Sequence, residues 1–134
     1  MKKVEHIGIA VKNIEDASQV FDKIFGKSAY KDERVESEHV TTRFYKMGET
    51  KIELLDSDNK DSAISKFIDK KGGGMHHIAF HVEDIYEEIK RLKELGFTIL
   101  NEEPKEGADN KLISFLHPRS TAGVLIELCQ EKND

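Results

Sequence analysis

The sequence predicts an α+β fold of two tandem βαβββ modules whose strands form a curved, eight-stranded cleft. Three observations predict this fold: an internal repeat, alternating apolar residues typical of strands, and an amphipathic helical segment in each copy of the repeat. A chain of 134 residues is the size of one compact domain. We therefore expect residues 1–134 to form a single domain of two repeats, at about 1–58 and 75–131, joined by a helix and a glycine-rich connector.

The repeat is clearest where each copy begins. Residues 6–20 read HIGIAVKNIEDASQV, and residues 77–91 read HIAFHVEDIYEEIKR. Both start with histidine and isoleucine, continue with a valine and an acidic break, and enter a helical stretch that ends at a glycine. An Ile-Glu-Leu sequence recurs further along each copy, around Glu53 and Glu127. Because these landmarks keep one order and an offset of 70–74 residues, a repeat explains them better than chance.

Each element of the first copy follows from its local pattern. The alternation in VEHIGIAV predicts a strand. Apolar residues at helical spacing then predict a helix with Asn13 as its N-cap and Gly26 at its end. Further alternating runs predict three strands, at Val35 onward, Val40–Met47 and Lys51–Leu55.

The second copy repeats this order. Its helix is expected between the N-cap Asp84 and Gly96, and its later strands are expected at Phe97–Leu100, Leu112–Leu116 and Val124–Leu128. Between the copies, DSAISKFIDKKGGG predicts a short helix followed by a flexible connector. Because those glycines precede a strand and not a helix, they do not form a phosphate-binding loop.

Strand alternation places one histidine and one glutamate of each copy on the face turned away from its helix. Apolar residues occupy alternate positions of each first strand and face the helix, so His6 and His77 face the other way. The same argument applies to Glu53 and Glu127 in the last strand of each copy. If a pseudo-twofold axis relates the modules, two histidines and two glutamates meet in one cleft.

This set of donors favours a divalent metal ion. Neutral imidazoles and carboxylates suit an ion of the Mn²⁺, Co²⁺, Ni²⁺ and Zn²⁺ group. Four protein ligands leave two adjacent positions of an octahedron for substrate oxygens or water. An ion held in this way acts as a Lewis acid and stabilises a developing enolate. One of the glutamates is then well placed as the proton-transfer base.

The other histidines and the cysteine are not expected to be metal ligands. His76 does not hold the position equivalent to His6, so it is not expected to be a ligand. His81 shares the predicted cleft face with His77 and either supports the site or lies at its rim. His117 is expected in a turn, and Cys129 is expected to be a buried, unreactive thiol.

Composition and charge exclude several classes of function. The net charge of −5 leaves no basic surface for nucleic acid. No apolar run approaches the roughly 20 residues that span a bilayer, and the apolar stretch near the start is too short for a secretory signal. One cysteine excludes an intramolecular disulfide and any CxxC metal site. We therefore expect a cytoplasmic protein that binds neither nucleic acid nor membrane.

The paired modules and their histidines and glutamates resemble the vicinal oxygen chelate superfamily over essentially the whole chain. More narrowly, HIGIAV, GETKIELL, DSAISKFI, GGGMHHIAFHV, NEEPKEGA and FLHPRSTAGVLIELCQ resemble the methylmalonyl-CoA epimerase family. The resemblance implies one divalent ion per site, most often Co²⁺, with Ni²⁺, Mn²⁺ or Zn²⁺ as alternatives. It also implies a homodimer. The family's metal ligands fall on His6, Glu53, His77 and Glu127.

The resemblance further implies an activity, the metal-dependent epimerisation of methylmalonyl-CoA at C2 through a metal-bound enolate. Glu127 is the expected acid/base, and a second proton carrier must act on the opposite face. In some members of the family this carrier is a glutamate at the position of Thr42. Glu53, a bound water, Glu36 or Glu38 are the alternatives in this chain.

The same resemblance implies an acyl-CoA substrate, whose carboxylate and phosphates need cationic or amide partners. Four residues are candidates for these contacts, namely Arg43, Lys111, Arg119 and Ser120.

Other members of the superfamily provide the alternatives. Glyoxalase I (lactoylglutathione lyase) can use the same four ligands, but FLHPRSTAGVLIEL departs from the DPDG-x-x-IEL ending common among glyoxalases. Extradiol dioxygenases need only two histidines and one glutamate, so four candidate ligands in a chain this short argue against this alternative. Drug-binding proteins of the bleomycin-resistance type lack the ligands and use aromatic clefts, whereas this chain has no tryptophan. Whether the modules pair within one chain or across a dimer is left open.

Overall fold

A computed structural model of the chain describes residues 1–132. Their helices and strands follow the order β1 (Lys3–Ala10), α1 (Ile14–Phe25), β2 (Lys31–Val35), β3 (Val40–Met47), β4 (Thr50–Ser57), α2 (Ala63–Lys71), β5 (Gly74–His81), α3 (Ile85–Glu94), β6 (Lys105–Gly107), β7 (Lys111–Leu116) and β8 (Ile126–Glu131). Short 3-10 turns lie at Glu36–Glu38 and Pro118–Ser120. The order is βαβββ twice with α2 between the copies, so the predicted fold class is confirmed.

The chain forms two compact units, and β1 contributes residues to both of them. Residues 7–76 form one unit, and residues 1–6 form the other together with the chain from His77 onward. The division lies next to both of the histidines that begin the repeats.

In the unit of residues 7–76, the strands lie in the order β2, β3, β4 and then the second half of β1. β3 pairs antiparallel with both β2 and β4, and Phe44 lies opposite Glu53 in the register. Helix α1 covers one face, where Ile14, Tyr45 and Leu54 form a buried cluster. A second cluster forms where Ile64 of α2 packs with other apolar residues, namely Ala10, Val40 and Leu55.

In the other unit, the first half of β1 lies beside β5, followed by β8, β7 and β6. β5 and β8 are parallel, whereas β8, β7 and β6 are antiparallel. Helix α3 packs its apolar side on this sheet. The resulting cluster contains Val82, Ile85, Ile89, Leu92, Ile99, Leu116 and Leu128. As predicted from alternation, Leu128 faces the helix and its neighbours Glu127 and Cys129 face the other way.

Both predicted N-caps are confirmed. The side chain of Asn13 accepts a hydrogen bond from the backbone N–H of Asp16 at 3.0 Å. The side chain of Asp84 accepts from the N–H groups of Tyr86 and Glu87. These bonds satisfy amides at the helix start that have no partner within the helix.

The strand expected at Phe97–Leu100 is wrong. Residue Ile99 forms one isolated bridge with Leu116, and the strand of this region is β6, at Lys105–Gly107. The side chain of Asn101 accepts from the N–H of Phe115 and donates to the carbonyl of Ile113. Because this amide occupies backbone groups of β7 that a paired strand would use, the ladder ends there.

The strand expected from Val35 onward is also misplaced, because β2 ends at Val35. The residues that follow form the turn at Glu36–Glu38, and His39 then adopts a left-handed conformation with φ of 56°. This turn joins β2 to β3 as an antiparallel hairpin. The charged sequence KDERV has little apolar alternation, so its pattern did not indicate the strand.

Among residues 1–132, no helix is both long enough and apolar enough to cross a membrane.

Candidate metal centre

His6, His77 and Glu127 meet in the unit that contains β5 and β8. β5 runs parallel to β8, and Ala79 lies opposite Glu127. His77 is two residues before Ala79 on β5, so its side chain is on the same face of the sheet as that of Glu127. His6 lies on β1, the strand next to β5. The three side chains are therefore brought together by neighbouring strands.

The donor atoms of these residues converge. The Nε2 atoms of His6 and His77 lie 3.0 Å apart. Glu127 Oε1 lies 3.2 Å from Nε2 of His77 and 3.6 Å from Nε2 of His6. All three residues are buried, with exposed fractions of 4–9%.

These separations fit a metal ion held between the three side chains. Two ligands bonded at about 2.1 Å to one ion lie roughly 3.0 Å apart at a right angle and roughly 3.4 Å apart at a tetrahedral angle. The two shorter separations fall in this range, and the third is slightly wider. Two imidazole nitrogens and a carboxylate oxygen are also the donor types that Mn²⁺, Co²⁺, Ni²⁺ and Zn²⁺ accept.

The environment of Glu127 keeps its carboxyl group ionised. Burial by itself would raise the pKa of Glu127, but the two imidazoles that face it, those of His6 and His77, and the hydrogen bond from Cys129 together lower it. The thiol of Cys129 donates to Glu127 Oε2 at 2.7 Å. One carboxylate oxygen thus faces the histidines while the other faces a donor on the same strand.

Glu5 is a site residue that the sequence reasoning missed. It is 4% exposed, and its Oε1 lies 2.7 Å from Nδ1 of His6. The available signal was a charged residue inside the otherwise apolar strand VEHIGIAV, directly before the predicted ligand. The burial predicted for Cys129 is confirmed, but its contact with Glu127 was not predicted.

Small and aromatic neighbours shape the space around His77. Ala79 is fully buried, and its methyl group leaves room on the face that Glu127 shares. The ring of Phe115, opposite Glu127 in the β7–β8 register, meets His77 edge-on with centroids 6.0 Å apart. The edge-on contact with Phe115 favours one orientation of the imidazole.

The other histidines lie as follows. The ring of His76 packs edge-on against Phe67 with centroids 4.9 Å apart. His81 is partly exposed and lies opposite Cys129 in the β5–β8 register. His117 precedes the 3-10 turn, and its Nδ1 accepts from the N–H of Arg119, so the predicted turn position is confirmed.

Glu53, the fourth predicted ligand, belongs to the unit of residues 7–76 and is 4% exposed. It shares its sheet face with Phe44, its direct partner in β3, and with Leu55. The apolar residues beside it in sequence, Ile52 and Leu54, pack on the opposite face under α1. The predicted orientation away from the helix is therefore confirmed, while its role as a ligand stays a prediction.

Arg43 lies within an ion-pair network of residues 7–76. Its guanidinium donates to both carboxylate oxygens of Asp32, to Glu15 and to the hydroxyl of Ser18. The hydrogen bonds that Arg43 donates to Asp32 and Glu15 raise the pKa of Arg43, and Arg43 in turn lowers the pKa of Asp32. This arrangement joins α1 to the β2–β3 hairpin. Contact between Arg43 and substrate stays a prediction.

The other predicted substrate contacts lie in the unit that holds the three converging residues. Lys111 is 6% exposed, on the same sheet face as Glu127, and its ammonium lies 3.3 Å from Glu131 and 3.9 Å from Asp109. Arg119 is exposed on the turn after β7. The hydroxyl of Ser120 donates to the carbonyl of His117.

The unit of residues 7–76 contains Thr42, at the position where some members of the family have the second proton carrier, and the alternatives Glu53, Glu36 and Glu38. Thr42 is 2% exposed and lies opposite Leu55 in β4 and Glu33 in β2, on the sheet face that carries Glu53. Glu36 and Glu38 are exposed on the 3-10 turn, where Glu36 accepts from Arg34.

Comparison with known proteins is consistent with this geometry. The pattern of the Glyoxalase/Bleomycin resistance protein/Dioxygenase superfamily matches residues 5–115. The uncharacterized protein YqjC of Bacillus subtilis is 38% identical over all of this chain and 96% of its own length. The ethylmalonyl-CoA/methylmalonyl-CoA epimerase of Cereibacter sphaeroides is 38% identical, over 96% of this chain and 97% of that protein. A structure of a variant Streptomyces coelicolor methylmalonyl-CoA epimerase with 2-nitronate-propionyl-CoA has a TM-score of 0.92 and 30% identity, over 96% of this chain and 94% of that one.

Proposed function

Because this chain belongs to the methylmalonyl-CoA epimerase family of the Glyoxalase/Bleomycin resistance protein/Dioxygenase superfamily, we propose that it is a divalent-metal-dependent epimerase acting at C2 of methylmalonyl-CoA. The observation that carries the proposal is the convergence of His6, His77 and Glu127 in a buried cluster. The named epimerase relatives support the choice of substrate.

His6, His77 and Glu127 would hold the metal ion, with Glu53 as the fourth ligand. Their imidazole and carboxylate donors suit Co²⁺, the ion that the resemblance favours, and also Ni²⁺, Mn²⁺ and Zn²⁺. When bound, such an ion supplies Lewis-acid stabilisation of the negative charge that develops on the substrate's oxygens. The burial of the ligands keeps competing water away from them.

Glu127 is proposed to move the proton. As an ionised carboxylate it can accept the C2 proton while the electrons of the C–H bond pass into the thioester carbonyl and form an enolate. If Glu127 alone returned the proton to the same face, the starting epimer would form again. A second proton carrier therefore has to deliver a proton from the opposite face. Thr42 stands where some members of the family have a glutamate for this step, so the candidates in this chain are Glu53, a bound water, Glu36 and Glu38.

The substrate's anionic groups are proposed to meet cationic and polar residues outside the buried cluster. Arg119 is exposed on the 3-10 turn after β7, where its guanidinium lies 3.4 Å from Nε2 of His117 and can also meet a carboxylate or phosphate. Ser120, Lys111 and Arg43 complete the proposed set. Assembly as a homodimer and a cytoplasmic location stay predictions of the family resemblance.

Proton NMR in D₂O tests the proposal directly. Protein loaded with Co²⁺ is incubated with one epimer of methylmalonyl-CoA, and both C2 deuteration and the appearance of the other epimer are followed. We expect both signals. Deuteration without epimerisation would mean that the second proton carrier is missing, with Thr42 as the first position to examine. No exchange by folded, metal-loaded protein would contradict the proposal.

A further inference from the structure

Two buried polar side chains lie behind the proposed ligands and do not belong to the ligand set. Glu5 and Cys129, here called the supporting pair, are 4% and 0% exposed. Each contacts a different ligand, Glu5 at His6 and Cys129 at Glu127. A buried carboxylate is costly unless it has a hydrogen-bond partner, so the placement of Glu5 needs a reason beyond packing.

The contact between Glu5 and His6 selects one form of the imidazole. A carboxylate only accepts hydrogen bonds, so Nδ1 of His6 carries the proton that meets Oε1 of Glu5 at 2.7 Å. In a neutral imidazole, Nε2 then holds the lone pair. This is the nitrogen that lies 3.0 Å from Nε2 of His77. Glu5 therefore orients the ring and leaves its second nitrogen ready to bind a cation.

The contact between Cys129 and Glu127 fixes the carboxylate in a similar way. The thiol donates to Oε2 at 2.7 Å, while Oε1 points to the two histidines. Glu127 and Cys129 are two residues apart on β8, so regular strand geometry places the thiol and the carboxylate side by side on one face. The bond restricts rotation of the carboxylate about its last torsion.

The two supporting residues also lie close to each other. Donor atoms of Glu5, His6 and Cys129 all lie within 4.8 Å of one another. We propose that Glu5 and Cys129 act together as positioning residues, which hold His6 and Glu127 in the geometry that binds the metal ion. This inference rests on the proposed metal site but is independent of which substrate the enzyme uses.

Metal affinity measured without substrate tests this inference. Co²⁺ is titrated into the folded apoprotein of the wild type and of the variants E5A, E5Q, C129A and C129S, and the visible Co²⁺ spectrum is recorded. Loss of partners that orient metal ligands typically weakens binding 10- to 100-fold. We expect E5A to lose about that much, and E5Q roughly 3- to 10-fold, because an amide accepts the hydrogen bond without the charge. C129A should lose about 10-fold, and C129S should recover most of it because its hydroxyl is also a donor.

Matched controls separate positioning from a general loss of structure. Glu83 is an exposed carboxylate of the same unit that pairs with Lys2 at 2.6 Å, so E83Q should leave Co²⁺ affinity and spectrum unchanged. If Glu5 and Cys129 act as one cluster, the loss in E5Q/C129A should differ from the product of the losses in the single variants.

The outcomes distinguish this inference from the proposed metal site. Co²⁺ affinities within twofold of wild type in both E5Q and C129A would overturn it, and E5Q keeps this test available if E5A does not fold. If H77A also leaves Co²⁺ affinity unchanged, the proposed metal site itself fails. If H77A abolishes binding while E5Q and C129A do not weaken it, only the positioning role is wrong.

Discussion

The Nε2 atoms of His6 and His77 lie 3.0 Å apart although 71 positions separate the residues in the chain. Each histidine begins one copy of the repeat, and their strands β1 and β5 are neighbours in the structure. If Nδ1 of His6 donates to Glu5, from which it lies 2.7 Å away, the facing Nε2 atoms are satisfied by a proton or a cation between them. The internal repeat of the sequence thus brings two equivalent imidazole nitrogens, one from each copy, next to each other.

Replacing His77 and, separately, His76 tests which of these adjacent histidines is a metal ligand. H77A removes one of three converging donors, so we expect Co²⁺ affinity and turnover each to fall by more than about 100-fold, beyond the loss typical of an orienting partner. H76A is the matched control, since His76 packs on Phe67, and it should lower stability by roughly 1 kcal/mol with little change in affinity. Calorimetric titration and thermal unfolding measure the two effects. An active H77A protein without bound metal would contradict the assignment.

Removal of the Arg43 side chain's charge should change the pH dependence of stability. The hydrogen bond from Arg43 lowers the pKa of Asp32, with burial opposing it. A lowered pKa in the folded state contributes stability above about pH 4, and this contribution is lost as the pH falls through the lower, folded-state value. We expect R43M to be less stable at pH 7 by roughly 1–2 kcal/mol, a figure limited by solvent screening because Asp32 is 45% exposed.

Urea unfolding at pH 7 and pH 3 measures this effect, and the difference between R43M and wild type should be smaller at pH 3. K12M is the control, because it removes one positive charge from an exposed position of the same unit. An equal difference at both values of pH would argue that packing, not the ion pair with Asp32, sets the contribution of Arg43.

Loss of the cap of α3 should lower stability without affecting the metal site. In D84A, the N–H groups of Tyr86 and Glu87 lose the acceptor that they now share. The expected cost is about 1 kcal/mol, or a decrease in Tm of roughly 3–5 °C. Thermal unfolding followed by circular dichroism measures it, and D84N should lose much less because asparagine also caps helices. A change in Co²⁺ affinity in D84A would show coupling that we do not expect.

Neutralisation of Arg119 tests its proposed contact with substrate. The side chain is exposed, so R119Q should leave stability within about 0.5 kcal/mol of wild type. If the guanidinium meets a carboxylate or phosphate of the substrate, KM should rise about two- to fivefold, the size expected for an exposed ion pair. R91Q should leave KM unchanged. Steady-state kinetics decide this point, and equal KM values in R119Q and wild type would exclude the contact.

Local patterns were sufficient for most of the fold and for the orientation of the site residues. Alternation with a period of two assigned Glu127 to the face away from α3, and the cap at Asp84 marked where α3 begins. The pattern failed at Phe97–Leu100, where apolar residues pack beneath α3 and Thr98 and Leu100 form backbone hydrogen bonds with the neighbouring stretch of the chain. The pairing stops at an isolated bridge, because the side chain of Asn101 takes the next backbone groups of β7. Hydrophobic periodicity records burial and does not record which group satisfies the backbone.

By itself, the sequence determined the repeat, the fold class and the side of the sheet on which His6 and His77 stand. These properties depend on the order of apolar and polar residues along the chain. Only the tertiary structure decided which groups surround each charge. It placed Asp32 and Glu15 around Arg43, and it placed Glu5 behind His6. The physical reason is that contacts between charges depend on strand register, helix packing and side-chain rotamers, which a linear pattern of hydropathy does not encode.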